Sequence, residues 1–206
     1  MKKSKAILMV VCAMLLVAAS VMGTLAYLTS QASVTNTFSV GKVAITMDEA
    51  DVDEYGYLIL NDEQIPVDRV DNNTYKLMPG HTYTKDPIVY VDAASEDCYL
   101  FVKVVNEITA IEAEGDTVAA QMAAKDWTLI DADNGIYVYG KATAPTKVAA
   151  RATIPVFATF TVADTVDNAT LANYAGKTIV VTAYAIQADG FESMTATEIW
   201  AEIPKA

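Results

Sequence analysis

Side chains able to carry hydrolytic or metal chemistry are sparse in this sequence. His81 is the sole histidine, so neither a His-Glu-x-x-His zinc helix nor a three-histidine site can be built. A Ser-His-acid arrangement would also need His81, and no Gly-x-Ser-x-Gly turn accompanies it. We therefore predict no catalytic residues, no cofactor and no metal ligands, and we expect His81, beside Gly80, to be an exposed loop residue.

The acidic residues offer at most weak calcium binding. The run from Asp131 to Gly135 resembles the start of a calcium loop, but Ala142 stands where the bidentate glutamate is needed, so turn chemistry explains the run better. The charged run at residues 48–54 predicts a solvent-exposed loop. Weak calcium binding by that loop is the alternative to a purely solvated role.

The two cysteines do not form a disulfide framework. Cys12 lies in an apolar N-terminal run, and Val11 before it is not the small residue that a lipidation site needs. Cys98 is alone in the rest of the chain and is predicted to be a buried apolar residue, with an intermolecular bridge as the alternative.

The one reaction that the sequence indicates is cleavage of its own N-terminus. Three lysines at positions 2, 3 and 5 precede an apolar run at residues 6–22, which is the pattern of a secretory signal peptide. Thr24 and Ala26 are small residues at the two positions that a signal peptidase must fit closely. Residues 1–26 are therefore predicted to be a signal helix, and the mature chain to begin at Tyr27. A retained membrane anchor is the alternative, because residues 6–28 are uncharged and long enough to span a bilayer.

An amphipathic strand follows the predicted cleavage site. Residues 27–40 are uncharged, lack proline and alternate apolar with hydroxyl-bearing side chains. One face carries Leu28, Ala32, Val34 and Phe38. Such a strand is either the first strand of its own sheet or a strand donated to a neighbouring subunit.

The same region resembles the TasA/camelysin family of secreted proteins. The resemblance rests on Gly-Thr-Leu-Ala at residues 23–26, on Asn-Thr-Phe-Ser-Val-Gly-Lys-Val at residues 36–43 and on Leu-Met-Pro-Gly at residues 77–80. Leu25 replaces the aromatic residue that is common in the family, and only residues 183–188 are similar further on. The resemblance implies a jelly-roll sandwich, removal of the signal by a SipW-type peptidase, and biofilm fibres outside a Gram-positive cell. Camelysin-type members have been classed as metallopeptidases, which is the enzymatic alternative.

Composition is compatible with export and argues against nucleic-acid binding. Without residues 1–26 the chain keeps 180 of its 206 residues, with 11 basic and 26 acidic side chains, for a net charge of −15. Nothing in so acidic a chain would neutralise phosphates. The length fits one domain at residues 41–206.

The pattern of these residues predicts an all-β fold, a two-sheet antiparallel β-sandwich with one to three short helical insertions. The family resemblance implies that this sandwich is jelly-roll-like. Residues 98–108, 154–162 and 178–187 carry the densest β-branched and aromatic content, so we expect them to be long inner strands. Residues 127–130 and 135–139 predict a hairpin.

Three segments have helix signals. Asp116 is expected to cap a helix at residues 117–124, a short helix is expected at residues 167–174, and the tail at residues 193–203 is expected to be helical.

Three classes of function follow from these patterns. The first is a secreted structural protein of the extracellular matrix, polymerising with itself or with related matrix subunits, and touching the membrane only through its signal peptide before cleavage. The second is a secreted metallopeptidase, and the third is a monomeric surface-binding module. Fibre formation predicts concentration-dependent polymers, a peptidase predicts inhibition by chelators, and a binding module predicts a stable monomer with a ligand.

Overall fold

The computed structural model describes Lys5, Ile7 and residues 9–16, 42–66 and 68–204. The chain separates into two units, Met1–Val40 and Gly41–Ala206. In the first unit, residues 9–16 are helical. The predicted cleavage residues and donated strand lie outside the described residues: Thr24, Ala26, Tyr27, Leu28, Ala32, Val34 and Phe38.

The second unit is built from short antiparallel strands, as the alternating pattern predicts. One sheet has the order β2-β1-β4-β9, a two-stranded sheet pairs β10 with β3, and a third has the order β11-β5-β7-β6 with β8 attached to β7. The strands are β1 (Ile45–Ala50), β2 (Arg69–Val70), β3 (Thr82–Thr84), β4 (Ile88–Val91), β5 (Cys98–Asn106), β6 (Trp127–Asp131), β7 (Ile136–Lys141), β8 (Ala144–Pro145), β9 (Thr153–Pro155), β10 (Thr159–Thr161) and β11 (Ile179–Gln187).

Strand β5 lies between two hydrophobic cores. Its alternation places Leu100 and Val102 in a first core, which also contains residues of β4 and β10. Tyr99 and Phe101 face the other way, into a second and smaller core. The prediction of a central strand beginning at Cys98 is confirmed, because apolar side chains occupy both faces of this strand.

The segment predicted as one long strand at residues 154–162 is divided into β9 and β10. Its partner is divided in the same way, into β4 and β3, around Pro87. The pairing register does not change across the break, since Val156 N–H donates to the Pro87 carbonyl at 2.9 Å and Lys85 N–H donates to the Ala158 carbonyl at 3.1 Å. The two segments therefore form one continuous antiparallel ribbon that passes from one sheet to the next.

The hairpin between β6 and β7 forms where the sequence predicts it. Gly135 precedes β7 with a φ of 65°, in the left-handed region that glycine adopts most easily. A Cβ at this position would lie 2.2 Å from the carbonyl oxygen of Val104, so only glycine fits against β5.

The three predicted helices are present and short: α1 (Val118–Ala124), α2 (Asn168–Leu171), which continues into a 3₁₀ turn at Ala172–Tyr174, and α3 (Ala196–Glu202). Thr117, and not Asp116, caps α1, because Ala120 N–H donates to the Thr117 hydroxyl at 3.2 Å. A capping box between Thr195 and Glu198 begins α3. This helix covers the second core with Ile199 and Trp200.

Candidate functional site: an open sheet edge and a buried ion pair

Among the described residues, β11 is the last strand of its sheet, whereas the sequence predicts that residues 178–187 form an inner strand. At one end, Glu107 N–H donates to the Thr178 carbonyl at 3.0 Å, and at the other Ala188 N–H donates to the Asp97 carbonyl at 2.8 Å. Backbone direction alternates along a strand, so even-numbered residues bond to β5 and odd-numbered residues direct N–H and C=O outward. The outward set comprises Ile179, Val181, Ala183, Ala185 and Gln187.

The side chains beside this edge are not fully covered. Seven apolar residues that pack against the first core are only partly buried here: Val43, Ile45, Met47, Ile179, Val181, Ala183 and Ala185. A cleft of about 660 Å³ lies at the start of this edge, where its lining includes Met47, Ile179, Val181 and Phe160. An added strand would find hydrogen-bonding groups and an apolar surface at the same place.

An ion pair lies in the wall of this cleft. Glu49 is 4% exposed, and its Oε2 contacts Nζ of Lys85 at 2.6 Å. On the other carboxylate oxygen, Nδ2 of Asn73 donates to Oε1 at 2.9 Å. The three residues come from β1, from the junction of β3 and β4, and from the loop after β2.

The prediction of a solvated loop at residues 48–54 is therefore wrong for its first part. Asp48 and Glu49 belong to β1, because ion pairs with Arg69 and Lys85 compensate their charges. The sequence contains a signal for this result. Glu49 has the same parity as Ile45 and Met47, which places it on the core-facing side of the strand.

The Asn73 amide has a defined orientation. Nδ2 donates a second hydrogen bond to the Ala50 carbonyl at 2.9 Å, while Val52 N–H donates to Oδ1 at 3.1 Å. A flipped amide would direct Oδ1 at two acceptors, so these contacts assign the amide. The nitrogen faces Glu49 and the oxygen faces a backbone donor.

Aromatic rings separate this cluster from the first core. The Tyr75 hydroxyl donates to the Thr84 carbonyl at 2.9 Å, and its ring meets Phe160 edge-on at 5.1 Å. Burial, together with the charge of Glu49, raises the pKa of Tyr75 above its ordinary value. The hydroxyl therefore stays protonated and acts as a fixed donor.

His81 is not the exposed loop residue that the sequence predicts. Its ring is half-buried, with the Tyr83 ring 4.5 Å and the Tyr57 ring 5.7 Å away between centroids. Nε2 donates to the Tyr55 carbonyl at 2.8 Å, since a carbonyl can only accept. His81 thus holds residues 55–57 against the ribbon.

Neither a metal centre nor a membrane span is found in the part of the chain that the structure describes. Within those ranges, no group of three or more histidine, cysteine or acidic side chains is placed to hold a metal ion. None of the described helices is long and apolar enough to cross a membrane. Cys98 is buried as predicted, and this burial raises the pKa of its thiol to about 11.

The fold and the cleft define an all-β antiparallel protein in which no other described strand pairs with the outer side of β11. In comparisons with known proteins, no family model, no curated protein and no solved structure matches the chain.

Proposed function

We propose that this chain is a structural subunit of an extracellular matrix, assembling by donation of residues 27–40 to the next copy. In this proposal the domain is a jelly-roll-like sandwich secreted by a Gram-positive bacterium. A SipW-type peptidase removes residues 1–26 by cutting after Ala26, and the new N-terminus at Tyr27 becomes free to leave its own subunit. The observation that carries the proposal is that, within residues 42–66 and 68–204, no strand pairs with the outer side of β11.

The donated strand suits this edge in length and in pattern. Residues 27–40 span about 46 Å when extended, and the nine residues of β11 span about 30 Å, at about 3.3 Å per residue. Leu28, Ala32, Val34 and Phe38 share one face, which would cover the partly buried side chains of the cleft. Their burial contributes several kcal/mol at about 25 cal/mol per Å², less the cost of ordering a flexible arm.

Three proteins test the donor strand. Mature chain starting at Tyr27 is expected to form filaments or large oligomers. A chain starting at Gly41, and a chain with Val34→Asp and Phe38→Asp, are expected to stay folded and monomeric. Light scattering and electron microscopy at matched concentration decide between these outcomes. If the chain starting at Gly41 polymerises as readily, residues 27–40 are only the first strand of a self-contained domain.

A substitution on the acceptor edge tests the other half of the contact. Ala183 directs its N–H outward, so Ala183→Pro removes a bond to the added strand and leaves the pairing with β5 intact. Ala183→Val keeps the N–H and is the matched control. Mature Ala183→Pro should not polymerise alone, yet it should shorten wild-type filaments when mixed in, because its own donor strand still caps their ends. Normal filaments of Ala183→Pro would exclude β11 as the acceptor.

A further inference from the structure

We propose that the Lys85 side chain forms an amide bond with the Asn73 side chain, with Glu49 as acid and base, so that the domain carries an internal isopeptide cross-link. This modification is independent of assembly, because all three residues belong to one domain. It would close a covalent loop between the segment after β2 and the ribbon.

The geometry brings the reacting groups to one carboxylate. Nζ of Lys85 contacts Oε2 of Glu49 at 2.6 Å, and Nδ2 of Asn73 contacts Oε1 at 2.9 Å. The Lys85 side chain is 12% exposed and that of Glu49 is 5% exposed. All three residues line the same cleft.

The reaction needs a neutral amine, and the Glu49 carboxylate that contacts Nζ of Lys85 is placed to take its proton. Passing a proton from Nζ to Oε2 converts a desolvated ion pair into a neutral amine and a neutral acid. The aromatic rings of Tyr75 and Phe160 also line the cleft, and the low exposure of the Lys85 side chain limits contact of the amine with water. A neutral amine is a nucleophile. Because the fold already holds this amine beside the amide, the reaction does not have to bring the two groups together.

The chemistry balances without any further reactant. Glu49 accepts a proton from Nζ, and the free electron pair of Nζ attacks Cγ of Asn73. The electron pair of the carbonyl bond moves onto Oδ1, where the N–H of Val52 at 3.1 Å stabilises the negative charge. Glu49 then delivers a proton to Nδ2, the Cγ–Nδ2 bond breaks and ammonia leaves. The second proton lost by Nζ passes to Glu49 and then to the departing ammonia.

Glu49 has a separate partner on each oxygen for these two transfers. Oε2 faces the atom that loses protons, and Oε1 faces the atom that gains one. The orientation of the Asn73 amide matters here, because the leaving nitrogen, and not the oxygen, faces the acid.

Mass spectrometry of the full-length protein tests the cross-link directly. Trypsin cannot cleave after an acylated lysine, so digestion should yield residues 70–76 joined to residues 77–103, lighter than their sum by one ammonia molecule. Fragmentation should place the link between Asn73 and Lys85. Recovery of the free peptides 70–76 and 77–85 at full yield from folded protein would overturn the proposal.

Three variants test the role of Lys85 as nucleophile and the role of Glu49 as acid and base. Lys85→Arg keeps a cation beside Glu49, and Glu49→Gln keeps the nucleophile and the amide, but both should lose the linked peptide completely. Lys76→Arg, a neighbouring lysine outside the cluster, should keep it at the wild-type level. A linked peptide in Glu49→Gln would refute the acid and base role of Glu49. On denaturing gels, the cross-linked wild type should migrate ahead of Lys85→Arg, and equal migration with no mass difference would count against the bond.

Discussion

Two valines on β5 differ in burial, so we expect substitutions at them to differ in their effect on stability. Val102 is fully buried, whereas Val105 is 44% exposed on the same strand. Val102→Asp buries a charge without a partner, which costs more than the roughly 5–15 kcal/mol that holds a domain of this size together. We expect Val102→Asp to abolish the thermal transition and Val105→Asp to cost only about 1 kcal/mol. Equal transitions for both variants would show that this face of β5 is not core.

Glu112 gives the domain a pH dependence. Its Oε1 accepts the Val118 N–H at 2.9 Å at the start of α1, and burial raises the pKa of its carboxyl above the ordinary 4.5. A raised pKa means that the folded state binds the proton more tightly. The stability from this group is therefore present below pH 4.5 and is lost as the pH rises through the raised pKa.

Glu112→Gln tests this dependence. The variant keeps an acceptor oxygen for Val118 but cannot ionise, so its melting temperature should fall less than that of the wild type between pH 4.5 and neutrality. Glu114→Gln, at an exposed position, is the control and should follow the wild type. Parallel curves for wild type and Glu112→Gln would show that Glu112 ionises freely in the folded state.

The burial of a side chain could be predicted from the sequence where it depends only on alternation within one strand. The alternation at Cys98, Leu100 and Val102 predicts their burial, and the parity of Glu49 contains the same information. The partner of Glu49 was not predictable, because Lys85 lies 36 residues further along the chain. Alternation specifies which face of a strand a residue occupies, but not which residue meets it from another strand.

At the scale of elements, α3 covers the second core on one face of the β5 sheet. Ile199 is fully buried against the second core, next to Phe101 and Val138. Ile199→Ala should lower the free energy of unfolding by about 2–5 kcal/mol, as truncations of large buried side chains do. Glu202→Ala, on the exposed side of the same helix, is the control. Urea denaturation with a smaller effect at Ile199 than at Glu202 would mean that α3 is not needed for the second core.

Helices and turns whose signals lie within a few residues were predicted well. Which strands lie side by side was not. The three helices and the β6–β7 hairpin follow from capping residues and turn residues within a few positions of each other. The edge position of β11 and the division of residues 154–162 depend on which strands lie alongside, and that is decided by contacts between distant segments. Donation of residues 27–40 stays a prediction, since these residues lie outside the described part of the chain.

At the scale of the whole molecule, charge opposes assembly. Subunits with a net charge of −15 repel one another, and dissolved salt screens this repulsion. Raising NaCl from about 10 to about 150 mM shortens the Debye length from about 30 to about 8 Å, so polymerisation of the chain starting at Tyr27 should become faster. Light scattering against time measures the rate, with the chain starting at Gly41 as the control. A rate that falls with added salt would mean that attraction between charges drives assembly.

Chemical labelling of the buried Cys98 thiol would report global unfolding of the domain. Cys98 begins β5, faces β11 and bonds to Val148 through its backbone at 2.9 and 2.8 Å, so no small local movement exposes its sulfur. A thiol with a pKa of about 11 is also almost wholly protonated at neutral pH, and alkylating reagents need the thiolate. In full-length protein, the exposed Cys12 should be labelled at once, whereas labelling of Cys98 should wait for unfolding. The delay between the two labels, read by mass spectrometry, would measure how often the native domain opens without any denaturant.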